Sequence, residues 1–225
     1  MSQAESPFQP QLPIADAAFF ETFMPYEIRL AQRRAMVWGA KSVTDMPITF
    51  FGLYLVRLEP QASNRFPSRE QGGDELGQTL FDLLRSVLRD SDVPGWFKNQ
   101  EHVAIARDTD PEHAHVIAER FLSAARKNEQ LRSAGMQARI GYLVYPLSSP
   151  PNFPVEKWHF LVDLARLLSL RDPASSSTSG YGLVRGDDAA SSGVPEADLI
   201  PIALQNPEPM INAGLIKLQR VQVLK

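Results

Sequence analysis

Cysteine is absent from the 225 residues, which removes disulfides and thiolate chemistry and fits a reducing cytoplasm. No apolar run approaches the length of a membrane span. Residues 1–14 are polar and proline-bearing, with neither a basic start nor an apolar stretch. No signal peptide is read there, and a disordered N-terminus is expected. Positive charge is not in excess. The formal net charge is −3 and the pI is about 5.8, a balance that disfavours non-specific binding to nucleic acid or a membrane surface. Walker loops and serine nucleophile elbows are missing too. The four histidines, His102, His113, His115 and His159, offer one i, i+2 pair, which on a helix points apart, so no metal site is expected. No internal repeat is found.

What is present suits one domain with extra segments, since 44% of the residues are hydrophobic. Residues 16–38 read as a helix, with Pro25 starting a new segment or kinking the first. Residues 48–56 are β-branched and aromatic along most of their length and form the expected central strand. Asp74 to Leu88 is an amphipathic helix with Leu76, Leu80, Leu83, Leu84, Val87 and Leu88 on one broad face. Val103 to Ala106 is a short strand. Asp110 caps a helix that has Pro111 at its first position and runs to about Asn128. Met136 to Tyr145 is another strand, and Pro154 to Leu170 a final amphipathic helix. Residues 172–193, rich in Ser, Gly and Asp, are expected to be a linker. Residues 194–225 form an extension whose segment 215–224 reads as a strand docked on the domain. The expected order is α-β-α-β-β-α-β-α, an α+β palm with a mainly antiparallel sheet.

The chain is organised around Arg89 to His102. A helix end is followed by a short strand, a tight tip at Lys98-Asn99-Gln100 and a second strand. Pro94 places the first strand at a sheet edge. Trp96 and Phe97 lie on that strand, where an aromatic is more often core than a stacking platform. This order, with Arg89 and Asp92 as an Arg-x-x-Asp pair, resembles the signature hairpin of GGDEF domains, the diguanylate cyclases. The resemblance covers residues 15–171. The signature pentapeptide falls on Lys98-Asn99-Gln100-Glu101-His102, of which only Glu101 matches. The literal Gly72-Gly73-Asp74-Glu75 is a decoy that precedes the long helix.

The resemblance implies an active site built on Mg²⁺, which needs hard oxygen ligands. The family's first-strand metal carboxylate lies seventeen residues before the Asp that opens the long helix, and that place holds Arg57. The second metal position of the signature holds Gln100, and the guanine-reading Asn falls on Arg65, with Asn64 one place off. The family's Asp-x-Leu-Thr opening is absent near Asp16. A fixed cation at a metal site repels the metal by several kcal/mol at about 4 Å and an effective dielectric near 20. Glu59, two residues on, is expected to pair with Arg57. No catalytic residues are therefore assigned, no cofactor is expected, and the chain is read as a non-enzyme.

The inhibitory site is the half that the resemblance preserves. In the family, Arg-x-x-Asp binds the product cyclic di-GMP, helped by an Arg eighteen residues beyond the signature, here Arg120. An Arg fork can donate to O6 and N7 of guanine, and an Asp can accept from its opposite edge. Arg89 and Asp92 are expected at a helix end facing solvent. The resulting expectation is a cyclic di-GMP receptor using Arg89, Asp92 and Arg120 and signalling through an unidentified protein partner. The open edge beside Pro94 suggests ligand-promoted pairing of two chains. The alternatives are a ligand-free scaffold and a residual cyclase using Glu59, Glu101 and Asp74.

Overall fold

The computed structural model describes residues 15–37, 51–61, 73–97, 101–145, 154–170, 180–185 and 216–220. Expectations for residues 1–14, for Asn64 and Arg65, and for the tip Lys98-Asn99-Gln100 lie outside these residues. The elements are α1 (Ala17–Val37), β1 (Phe51–Pro60), α2 (Gly73–Val87), β2 (Val93–Trp96), β3 (His102–Arg107), α3 (Pro111–Lys127), α4 (Glu129–Ser133), β4 (Met136–Tyr145), α5 (His159–Leu170), β5 (Gly180–Arg185) and β6 (Ile216–Arg220). A 3₁₀ turn, Val155–Lys157, leads into α5. Among the described residues no helix is long and apolar enough to cross a membrane.

Strand β1 is central because its residues can be buried on both faces. Phe51, Leu53 and Leu55 point to one side and pack with α1, α5 and the facing residues of β3 and β4. Tyr54 and Val56 point to the other, against α2 and α3. This period-two alternation inside an apolar run is what a strand covered on both faces requires. The sheet order is β2-β3-β1-β4-β5-β6. Its pairs are antiparallel except β4–β5, which is parallel. Burying one large aliphatic or aromatic side chain contributes about 1.5–3 kcal/mol, so two cores on one sheet supply the main driving force. The α+β expectation holds.

Helix α1 carries Pro25 within one helix rather than at the start of a second. Two elements differ from the sequence reading. Asn128 caps the extra short helix α4, its side-chain oxygen accepting from the Leu131 amide at 3.0 Å. Residues 180–185, expected as linker, form β5 between β4 and β6. The expected C-terminal strand is β6, and it docks on β5 of its own chain. Elsewhere the cap works as the sequence predicts: Asp110 accepts from the His113 amide at 2.8 Å, with Pro111 opening α3.

Glycine is required where α5 meets the sheet. A Cβ on Gly141 of β4 would lie 1.9 Å from the Ala165 carbonyl oxygen and 2.6 Å from the Ser169 nitrogen. At the far edge, a Cβ on Gly95 would lie 2.3 Å from the Ala15 carbonyl oxygen.

Candidate functional site

The turn from α2 into β2 carries Arg89 and Asp92. The Asp92 amide donates to the Arg89 carbonyl at 3.0 Å, closing the turn. In return the Asp92 carboxylate accepts from the Arg89 amide at 2.8 Å and from the Arg107 amide at 3.1 Å. Asp92 is only 6% exposed, which corrects the expectation that it faces solvent. Burial pushes its carboxyl above the ordinary range. The two amides, the Arg89 charge and the Ser91 hydroxyl pull the other way. Arg89 itself is exposed.

Asp92 therefore ties the end of β3 to the α2–β2 turn. The tie continues into α1: the Arg107 guanidinium pairs with Glu27, which is 4% exposed, and lies 5.1 Å from the Phe23 ring centroid. A cavity of about 430 Å³ opens beside the turn. Its lining includes Phe81 and Arg85 of α2, Arg89 and Asp92 of the turn, and Asp16 and Phe19 at the start of α1. Such a volume is within the ordinary range for small-ligand sites. Arg120 is exposed on α3 and does not line this cavity. The structure thus brings Arg89 and Asp92 together and places the expected helper elsewhere.

The β2 edge is not open along its whole length. Ala15 forms a parallel bridge with Gly95, and its carbonyl accepts from the Trp96 amide at 2.8 Å. This corrects the edge geometry on which pairing of two chains rested. Trp96 is half-buried: its ring stacks on Phe81 at 5.7 Å and meets His102 edge-on at 4.4 Å. Phe97 packs against the core under α1 and α5.

A second polar group sits where β1 runs out from under the helices. Arg57 and Arg139 face one another across β1 and β4. Glu59 pairs with Arg57 and accepts from Arg139 Nε at 2.7 Å. Glu101, 7% exposed, accepts from Arg166 Nε at 3.0 Å on both oxygens and from a terminal nitrogen at 2.8 Å. Arg166 also pairs with Asp163 one turn earlier on α5. The hydrogen bonds that Arg166 donates to Glu101 raise its pKa, whereas burial lowers that of Arg57. Only the Arg57–Glu59 pair was expected. The i, i+3 spacing of Asp163 and Arg166 hinted at a local pair, but nothing local pointed Arg166 at Glu101.

No protein-family model matches the chain. The crystal structure of the GGDEF domain of PA1120 (YfiN or TpbB) from Pseudomonas aeruginosa superposes with TM-score 0.53, at 16% identity, over 72% of this chain and 94% of that one. A mutant of the same protein comprising only the GGDEF domain gives TM-score 0.52 at 17% identity, over 70% and 85%. The chain has the GGDEF-domain fold. Among curated proteins, the cyclic di-GMP phosphodiesterase NbdA of Pseudomonas aeruginosa is 34% identical over 76 residues, 33% of this chain. The chain spans about a tenth of the length of that relative.

Within the GGDEF fold, Arg57 and Glu101 occupy the neighbourhood where the resemblance implies a magnesium ion. The described residues there do not fit one. Glu59, Glu101 and Asp163 are each already paired with a guanidinium, and a metal would have to displace those cations at close range. No group of three metal-ligating side chains forms among the described residues. Gly73, Asp74 and Glu75 open α2, with Asp74 and Glu75 in the first turn, where negative charge favours the helix dipole. His102, the last signature position, is fully buried with no hydrogen-bond partner on either ring nitrogen. Burial lowers its pKa to about 4, against a small pull from the Gly77 backbone.

Proposed function

We propose that this GGDEF-fold chain is a non-catalytic cyclic di-GMP receptor that passes its signal through protein contacts. One observation carries the binding half: Arg89 and Asp92 line a cavity of about 430 Å³ with an aromatic wall. That set can meet a guanine edge with charge-assisted hydrogen bonds and its face with an aromatic ring. The paired guanidinium groups at Arg57, Arg139 and Arg166 support the non-catalytic half, because they hold Glu59 and Glu101, the carboxylates a residual cyclase would need. Ala15 lies along part of the β2 edge, so the proposal is made for a single chain rather than a ligand-promoted pair.

The burial of Asp92 favours a second reading, a ligand-free scaffold in which this carboxylate serves the turn alone. Calorimetric titration separates the two. The receptor reading expects heat with cyclic di-GMP, and an incubation with GTP and Mg²⁺ or Mn²⁺ that yields no cyclic dinucleotide. Silence with the dinucleotide leaves the scaffold. Multiple turnover of GTP that Glu101→Gln abolishes defeats the non-catalytic claim.

A further inference from the structure

Two features of the cavity beside the α2–β2 turn stand open to solvent. Arg85 lies in the last turn of α2 and Arg89 just past its end, one helical turn further along. Both are exposed, and among the described residues neither guanidinium makes a side-chain hydrogen bond or ion pair. Phe19, in the first turn of α1, is 42% exposed although its neighbour Phe20 is fully buried. Its ring stacks on Phe23 at 4.9 Å, which backs it from behind, and it lines the same cavity as the two arginines. A basic residue near a helix C-terminus is explained by the dipole alone. A backed aromatic ring held at the rim of the same cavity is not.

We propose that Phe19 is the base-stacking wall of this site and Arg85 its phosphate contact, so that α1 and α2 together hold one purine base and its phosphodiester. This rests on the receptor reading above and changes its membership: Arg85 takes the place expected for Arg120. Stacking is tolerant of base identity because every base presents a π-face. Selectivity for guanine then falls to Arg89 and Asp92, and Phe19 sets affinity.

The test is calorimetric titration of the full chain with cyclic di-GMP, using wild type, Phe19→Ala, Phe19→Trp, Arg85→Gln, Arg89→Ala and Arg120→Ala. Phe19→Ala and Arg85→Gln should each weaken binding about tenfold, and Arg120→Ala should stay within about twofold of wild type. Phe19→Trp should bind normally, with an added indole emission that ligand quenches relative to wild type. Both side chains are exposed, so thermal melts of these variants should match wild type. Loss in Arg89→Ala with unchanged binding in Phe19→Ala and Arg85→Gln overturns the wall and leaves the receptor reading standing. Loss in Arg120→Ala with Arg85→Gln unchanged overturns the phosphate assignment. A wild-type chain that gives no heat removes both readings together.

Discussion

At the scale of single residues, Asp92 and His102 show how burial changes the meaning of a motif. Arg89 and Asp92 are three apart in sequence, yet Arg89 is exposed while Asp92 is buried and holds two backbone amides. Asp92→Ala leaves both amides without their acceptor and should lower stability by about 1–3 kcal/mol. The desolvation that raises its pKa offsets part of the loss and keeps it in that range. Arg89→Ala should leave the urea midpoint where it is. Equal midpoints for wild type and Asp92→Ala would show that the turn does not depend on this carboxylate.

His102 adds a pH dependence of definite sign. The unfolded chain takes up the imidazole proton near pH 6.5 and the folded chain only near pH 4. Between those values the unfolded state binds more protons, so stability falls as the pH is lowered through that window. The full difference is worth about 3 kcal/mol. Phe81 and Trp96 surround the ring and can supply no counter-charge. His102→Phe should flatten the stability curve between pH 6.5 and 4 relative to wild type. Parallel curves for the two proteins would mean that the histidine is not the titrating group.

At the scale of elements, α5 is the piece that closes the side of the sheet where Glu101 lies. Its backbone lies directly on Gly141, and Arg166 reaches Glu101 at the start of β3. Gly141→Ala places a methyl group into backbone atoms that cannot swing aside. It should cost at least the roughly 1–3 kcal/mol typical of overpacking and should raise amide exchange in α5 before α3. Exchange that rises equally in both helices would show that α5 is not a separate dependency. The Arg166–Glu101 clasp has the opposite character. It is partly exposed, its guanidinium can remain hydrated, and its effect is to orient the hairpin base more than to stabilise the fold.

At the scale of the whole molecule, the two cores share one sheet, so neither can dissolve without exposing the other. Trp96 packs on the α2 side through Phe81, and Trp158 belongs to the core under α1 and α5. Variants retaining only one of these tryptophans should report the same denaturant midpoint, as a cooperative domain requires. Two separated midpoints would divide the sheet into independent halves.

The sequence by itself determined the local elements: the alternation in β1, the apolar face of α2, the Asp110 cap with Pro111, and the edge position of Pro94. Each signal acts within a few residues, through side-chain period or a hydrogen bond to a nearby amide, and needs no knowledge of the rest of the chain. It also placed Arg57 beside Glu59, because residues two apart on a strand share a face. Only the tertiary structure decided what these residues meet. Asp92 is buried because the end of β3 arrives with the Arg107 amide, fifteen residues on. Glu101 is clasped because α5 brings Arg166 from sixty-five residues away. Arg85, rather than Arg120, lines the cavity, together with Phe19 from the first turn of α1, and no residue of α3 reaches it. Residues 180–185 become a strand because β4 and β6 offer it partners, although serine and glycine dominate the segment around them. Contacts across such separations leave no periodic trace in the chain, since they depend on where two elements are carried by the packing of others.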